Sequence, residues 1–137
     1  FVNCAFWGAS WRNASIDGVG TVGFSDCTFM QWGHAPKDAS FEKEPIASMD
    51  VRGGSVIVHG CEFLENKPQI RLGDRVDRAV ITDNLMTGKV RVDNDSKGAI
   101  IVRDNAGSPS KNLWKKRYKH MPGFRADQLN PEKNKKE

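Results

Sequence analysis

A short motif that recurs five times along the chain constrains the fold more than any other feature. Each copy has two apolar residues at alternate positions, a few polar or small residues, then Cys or Asn, and another apolar residue two positions later. Successive Cys or Asn residues are separated by 23, 34, 23 and 21 residues. A repeat of this length indicates similar units that stack on one another. We call these residues the anchors: Cys4, Cys27, Cys61, Asn84 and Asn105.

Each repeat contains three short segments with the pattern of β-strands. Two alternating segments precede the anchor and are separated by turn residues such as Gly53-Gly54, and a third apolar segment follows the anchor. Alternation with a period of two is typical of a half-buried strand. The sequence therefore predicts an all-β parallel β-solenoid of four to five coils with three short strands each, stacked at about 4.8 Å. The predicted core columns are Ile16/Val51/Leu72/Val92, Phe24/Val58/Ile81/Val102 and Phe6/Phe29/Phe63/Met86.

The last part of the chain departs from the repeat. Residues 1–107 are predicted to form the coils, and residues 108–137 a short C-terminal cap and tail. Within that segment, residues 112–121 have the pattern of a short basic helix with Leu113, Trp114 and Tyr118 on one face. We expect this helix to cover the open end of the solenoid, because an unpaired strand edge promotes aggregation.

Charge and cysteine spacing exclude several classes of protein. The net charge is +4, but nine of the 21 Lys and Arg residues lie in residues 111–137, so a basic face for nucleic acid is not expected. No apolar run approaches the roughly 20 residues of a membrane-spanning helix, so no membrane partner is expected either. The three Cys residues lack the spacing of zinc ligands. We expect no metal site from these residues. We expect the thiols to be free and buried, with a disulfide between adjacent Cys residues as the alternative, because stacked Cα atoms are roughly 4.8 Å apart; the odd count leaves at least one Cys unpaired.

The anchors also carry a resemblance to a known family. Asn residues that stack at a corner, together with the segments Cys4-Ala5-Phe6-Trp7-Gly8 and Cys27-Thr28-Phe29-Met30-Gln31-Trp32, resemble the right-handed parallel β-helix of the pectate-lyase-like superfamily. The resemblance to bacterial pectate lyases and polygalacturonases implies a secreted or periplasmic protein that holds an extended, in some members acidic, polysaccharide on its first parallel sheet. It also implies an arginine base and acidic calcium ligands in the lyases. This chain would then supply the C-terminal coils of a longer protein.

Candidate site residues follow from the predicted outward face of the first sheet. Asp17, Asp50 and Arg71 are the candidate catalytic residues, because a pair of carboxylates can serve as acid and base in glycosidic chemistry. Arg52 and Arg91 are candidate substrate contacts, and Arg91 is predicted to stack in one column with Arg71. Other candidates are His34 in the long polar loop and the aromatic side chains of Trp7, Trp11 and Trp32. A solvated strand face of mixed charge is the alternative interpretation.

The sequence leaves the enzymatic activity open. The Asn-Thr-Asp, Asp-Asp, Gly-His-Gly and Arg-Ile-Lys motifs of polygalacturonases do not occur in it. The alternative function is a non-catalytic structural or binding module. Such a module would stack end to end, or on N-terminal coils outside this chain, through the exposed coil that begins at Phe1.

Overall fold

The computed structural model describes residues 1–8, 11–33 and 46–108, and within these ranges every regular element is a β-strand. None of these residues forms a helix long and apolar enough to span a membrane. The predicted loop with His34, and the predicted cap and tail beyond Ser108, lie outside the described residues. The strands are β1 (Ala5–Trp7), β2 (Ala14–Ile16), β3 (Thr21–Ser25), β4 (Thr28–Met30), β5 (Met49–His59), β6 (Glu62–Phe63), β7 (Ile70–Thr82), β8 (Leu85–Thr87), β9 (Val92–Asn94), β10 (Ala99–Arg103) and β11 (Ala106–Ser108).

These strands stack as a parallel β-solenoid of about four turns, which confirms the predicted fold class. One sheet has the order β1-β4-β6-β8-β11, so every coil contributes its third strand to it. The other sheet has the order β10-β7-β5-β2, with β3 also paired to β5 and β9 to β7. All pairings between these strands are parallel. Like residues therefore lie above like residues, as the repeat predicts.

The core consists of the columns that this stacking produces. Phe24 pairs with Val58, which pairs with Ile81, which in turn pairs with Val102. The aromatic column continues from Phe6 through Phe29 and Phe63 to Met86, and the rings of Phe6, Phe29 and Phe63 are stacked with centroids 4.9 and 4.8 Å apart. Two of the three predicted columns are thus confirmed over their whole length.

The third column is confirmed only for its first three members. Ile16 pairs with Val51 and Val51 with Leu72, but Leu72 pairs with Asn94. Val92 pairs with Ile70 instead, so its predicted place above Leu72 is wrong. The interval between these coils is 22 residues rather than 20. A shift of two residues keeps the alternation of inward and outward side chains, so the pattern alone does not reveal it.

The first two predicted strands of the two middle coils are joined into single bent strands. The turns predicted at Gly53-Gly54 and Gly73-Asp74 lie inside β5 and β7, where the pairing shifts register after Val51 and again after Gly54. Gly54 has a φ of +78°, and a Cβ there would lie 2.7 Å from the carbonyl oxygen of Gly20. Glycine is required at this bend because other residues adopt this conformation at a cost and would clash with the neighbouring coil.

A second ladder accompanies the anchors at the corner between the two sheets. The residue before every anchor has a positive φ, between 53° and 63°. Only Asn, Asp and Gly occupy these positions, because they tolerate the left-handed conformation best. This regularity is visible in the sequence itself, because the same three residue types precede the anchor in all five copies. The ladder consists of Asn3, Asp26, Gly60, Asp83 and Asp104.

The anchors themselves hold the corner by bonding to the preceding coil. Asn84 Nδ2 donates to the carbonyl oxygen of Val58 (3.0 Å), and Asn84 Oδ1 accepts from the N–H of Cys61 (2.8 Å). Asn105 repeats the arrangement on Ile81 and Asn84. The thiol of Cys61 takes the equivalent place one coil earlier, because its Sγ donates to Phe24 at 3.5 Å. Burial raises the pKa of this thiol to about 11, so it stays protonated and remains a donor.

Replacing Cys61 by Asn is therefore expected to stabilise the fold by about 1 kcal/mol. An amide at this place can donate to the carbonyl oxygen of Phe24 and accept from the N–H of Cys27, which in the parent bonds to the Cys61 sulfur. Urea denaturation measures the change, with Cys61→Ala as the matched control that loses the donor and is expected to be less stable than the parent. If Cys61→Asn unfolds at no higher urea than Cys61→Ala, the proposed equivalence of thiol and amide is wrong.

Candidate functional site

A concave surface lies on the outer face of the sheet that contains β2, β5, β7 and β9, which corresponds to the predicted first sheet. It is an open groove of about 770 Å³ to which four successive coils contribute. The sequence places side chains here because alternate residues of each strand point away from the core. The groove is lined by Trp11, Arg12, Ser15, Asp50, Arg52, Arg71, Gly73, Asp74, Arg75 and Asp95.

Asp50 lies at the floor of the groove, between two guanidinium groups. Its side chain is only 7% exposed, and its Oδ2 forms an ion pair with Arg12 of the preceding coil. The Nε of Arg52 lies 3.7 Å from the same oxygen, and Arg52 also donates to the hydroxyl of Ser15 at 2.8 Å. A buried carboxylate needs such partners, because desolvation would otherwise be costly. Asp50 therefore orients Arg12 and Arg52 along the groove.

Asp17 and Arg75 form an ion pair that crosses a whole coil. The Nη2 of Arg75 lies 3.0 Å from Oδ2 of Asp17, which is two coils earlier. Gly53 of the coil between them has no side chain, and a Cβ there would lie 3.2 Å from Oδ1 of Asp17 and 3.7 Å from the Cβ of Arg75. The absence of a side chain at Gly53 thus allows the two charged groups to meet. Both side chains are partly exposed, so the pair contributes little to stability.

Arg71 lies at the centre of the groove and pairs across the sheet with Asp50, as predicted. Its side chain is 49% exposed, and the carboxylate nearest to it, that of Asp95, lies 3.9 Å from Nη2. Within residues 1–8, 11–33 and 46–108, its guanidinium forms no hydrogen bond. This charged group with five donors is therefore available to a ligand.

Arg91 does not lie above Arg71, so this part of the prediction is wrong. The residue that pairs with Arg71 in the next coil is Asp93. Arg91 lies at the preceding corner, where its Nη2 donates to Oδ1 of Asn66 at 2.9 Å and its backbone N–H donates to Gln69. It is not among the residues that line the groove. Arg91 was predicted at the wrong place for the same reason as Val92: the true pairing between these two coils is shifted by two residues from the predicted one.

The three tryptophans predicted near the groove have different environments. Trp11 lines the groove. Trp7 is 64% exposed, but it lies on β1 in the other sheet and bonds through Nε1 to Gln31. Trp32 is fully buried, packs edge-on against Phe63 and donates to the carbonyl oxygen of Pro68 at 3.1 Å. Its ring therefore has no face open to a sugar in this structure.

Ser48 and Gln69, which directly precede β5 and β7, are buried at the corner before this sheet. Ser48 donates to Asn13 at 2.8 Å, and Gln69 donates to the carbonyl oxygen of Thr87 and accepts from Arg91. Both are fully buried. Three residues that line the groove, Arg12, Arg75 and Asp95, were not predicted as site residues. Arg12 and Asp95 lie just outside the strands, and Arg75 lies in β7 directly after the predicted turn Gly73-Asp74. Strand alternation gives no information about residues in or beside turns.

The chemistry of the groove follows from this arrangement. Asp17 and Asp50, the two candidate catalytic carboxylates, are each paired with an arginine, and Arg71 is an exposed cation one coil beyond Asp50. No group of three or more His, Cys, Asp or Glu residues within the described ranges is placed to hold a metal ion. His34 is outside those ranges. The groove thus offers guanidinium donors, carboxylate acceptors and the aromatic ring of Trp11.

No protein-family model, curated protein or solved structure matches this chain.

Proposed function

We propose that the groove binds an extended polysaccharide, with acidic sugars as its preferred class. The observation that carries this proposal is the exposed guanidinium of Arg71, which has no hydrogen-bond partner among the described residues although it lies in the middle of an open groove. Guanidinium groups bind carboxylates through two parallel hydrogen bonds. A polymer of this kind would be met outside the cytoplasm, so the proposal includes a secreted or periplasmic location.

The shape and lining of the groove support a polymer rather than a small ligand. The lining residues come from four successive coils, so a ligand that contacts all of them runs along the solenoid axis. Arg52 on β5 and Arg71 and Arg75 on β7 present charged groups on two adjacent coils, and Trp11 provides an apolar ring at one side. Carboxylates of the chain itself lie among them, so hydroxyl groups of sugars find acceptors as well.

Catalysis is the finer part of this proposal. Asp17, Asp50 and Arg71 are the candidates for acid and base roles, and any calcium requirement of a lyase would have to be met by acidic residues of the groove. In β-elimination, a base removes a proton from C5 of a uronate and the C4–O bond to the next sugar breaks. In hydrolysis, water adds across the glycosidic bond instead. Both reactions leave a new reducing end, but only elimination also leaves an unsaturated sugar at the new non-reducing end.

The test is to measure the binding of polygalacturonate and alginate to the parent chain and to Arg71→Gln by isothermal titration calorimetry. We expect Arg71→Gln to weaken binding about tenfold, since charge-assisted hydrogen bonds contribute more than neutral ones. Because the groove is open, we also expect the affinity of the parent to fall as salt rises. Product formation is followed in the same samples through the ultraviolet absorbance of a new C4–C5 double bond and through new reducing ends.

Arg103→Gln is the matched control for this experiment. Arg103 is an exposed arginine on β10, and it is not among the groove residues. Arg103→Gln removes the same charge as Arg71→Gln but outside the groove, so we expect this variant to bind both polymers as tightly as the parent does. Equal losses in the two variants would mean that only net charge matters, and no binding of either polymer would refute the proposal. Binding without either product would leave a binding module rather than an enzyme.

A second candidate function is favoured by the first coil. Phe1 and Val2 are both largely exposed, and the ring of Phe1 stacks on Phe24 at 5.0 Å, so it extends the core column to the surface. A structural module that associates through this coil would bury these side chains. Light-scattering masses measured across a concentration series distinguish this candidate from the groove proposal, which requires only a monomer.

A further inference from the structure

The charge of the groove changes sign along the solenoid axis. The part formed by β5, β7 and the segment before β2 has four arginines against two acids, Asp50 and Asp74. The coil of β9 contributes one lining residue, Asp95, and it is an acid. Lys97 follows two residues later but does not line the groove. The four arginines are Arg12, Arg52, Arg71 and Arg75. A ligand that runs along the axis therefore contacts a cationic surface and then a negative one.

Asp95 lies beside Arg71 without a hydrogen bond between the two side chains. The backbone N–H of Asp95 donates to the carbonyl oxygen of Leu72 at 2.8 Å, which fixes its backbone against the coil of β7. Its Oδ2 lies 3.9 Å from Nη2 of Arg71, which is beyond hydrogen-bond distance. Asp95 thus leaves the donors of Arg71 to a ligand. It also places a negative charge close to any carboxylate that binds there.

We propose that Asp95 sets the charge density of the polymer that the groove binds, and that it selects acidic chains in which part of the sugars are uncharged. This inference rests on the proposed function of the groove. A carboxylate bound to Arg71 and the carboxylate of Asp95 carry like charges at short range, so they repel each other. Asp93 adds to the repulsion, because it pairs across the sheet with Arg71 and is exposed.

The two acids discriminate between polymers at the sugar that lies over β9. A fully charged chain that continues along the axis from Arg71 brings its next carboxylates towards Asp93 and Asp95. An uncharged sugar at the same place brings only hydroxyl groups, which donate to carboxylates. Specificity often depends on such a group, which disfavours the wrong ligand more than it favours the right one.

The test compares two forms of one polymer by isothermal titration calorimetry. One form is polygalacturonate, and the other is polygalacturonate with half of its carboxyl groups as methyl esters. The variant is Asp95→Asn, which removes the charge and keeps the size of the side chain. We expect it to bind polygalacturonate about threefold more tightly than the parent does, a modest factor because Asp95 is exposed. The half-esterified form is expected to gain less, and the gain is expected to shrink as salt rises.

Asp104→Asn is the matched control for this experiment. The side chains of Asp104 and Asp95 are both 66% exposed, and each carboxylate lies near one arginine, at 3.5 and 3.9 Å. Asp104 is not among the groove residues. Its backbone has a positive φ, which Asn tolerates as well as Asp does. We therefore expect Asp104→Asn to bind both forms of the polymer as the parent does.

The outcomes separate this inference from the function on which it rests. If the parent binds and Asp95→Asn binds polygalacturonate no more tightly, Asp95 does not set the charge density, although the groove still binds the polymer. An equal gain for both forms of the polymer, or an equal gain in Asp104→Asn, also overturns the inference, because net charge then explains the effect. If neither form binds to the parent or to the variants, the proposed function of the groove is wrong, and this inference fails with it.

Discussion

Val58→Asp is expected to abolish cooperative folding. Val58 is fully buried in β5 and lies between Phe24 of the preceding coil and Ile81 of the next. An aspartate there places an unpaired charge inside a stacked apolar column, which costs several kcal/mol. Typical domains have a total stability of only about 5–15 kcal/mol. A thermal melt followed by far-ultraviolet circular dichroism is expected to show no cooperative transition.

Ile57→Asp is the matched control for this substitution. Ile57 is the neighbour of Val58 in the same strand, but its side chain is 43% exposed on the outer face. The same charge is therefore solvated there, and we expect a cooperative melt close to that of the parent. If the two variants melt alike, Val58 does not point into the core and Ile57 does not point outward. The assignment of Val58 to a stacked core column would then be wrong.

The contrast between these two neighbours explains why the core was predictable from the sequence. In a parallel stack, a residue contacts its equivalents one coil before and one coil after, so the anchor spacing alone aligns Phe24, Val58 and Ile81. The five anchors fix this register for every strand close to them. For the same reason the third strands, from β1 to β11, were placed correctly.

Register was predicted less well far from the anchors. The segment from Lys89 to Asp93 alternates regularly, and moving it by two residues preserves which side chains point inward. The turn between the first and second strands can absorb those two residues, because its length differs between coils. Val92 therefore pairs with Ile70 and Arg91 lies at the corner beside Gln69. An expectation built on exact stacking, such as Arg91 above Arg71, fails under such an offset.

The groove illustrates a different limit of sequence-based prediction. Asp17, Asp50, Arg52 and Arg71 were expected on the outer face of the first sheet, and they lie in or beside the groove. Their ion pairs could not be derived, because these depend on side-chain reach across coils. Arg75 reaches Asp17 only because Gly53 leaves the intervening position open. A glycine that the sequence suggested as a turn residue thus also determines which charged groups of the site are paired.

Asn84→Ala is expected to lower the free energy of unfolding by about 3 kcal/mol, because it leaves two buried backbone groups without partners. Asn84 is fully buried, and its amide serves the N–H of Cys61 and the carbonyl oxygen of Val58. Its Nδ2 also donates to Oδ1 of Asn105 at 2.8 Å, so the ladder is interrupted in the middle. Urea denaturation measures the loss, and the slope of the transition shows whether the folded state remains equally compact.

Asn105→Ala makes the same chemical change one coil later and is the control that isolates burial. Asn105 bonds to Ile81 and Asn84 in the same manner, but it is only half-buried at the last coil. Water can replace part of the hydrogen bonding of its amide, so we expect the free energy of unfolding to fall by only about 1 kcal/mol. If the two substitutions cost the same, the strength of the ladder does not depend on its depth in the stack. Losses below about 0.5 kcal/mol in both would show that the anchors do not hold the corner.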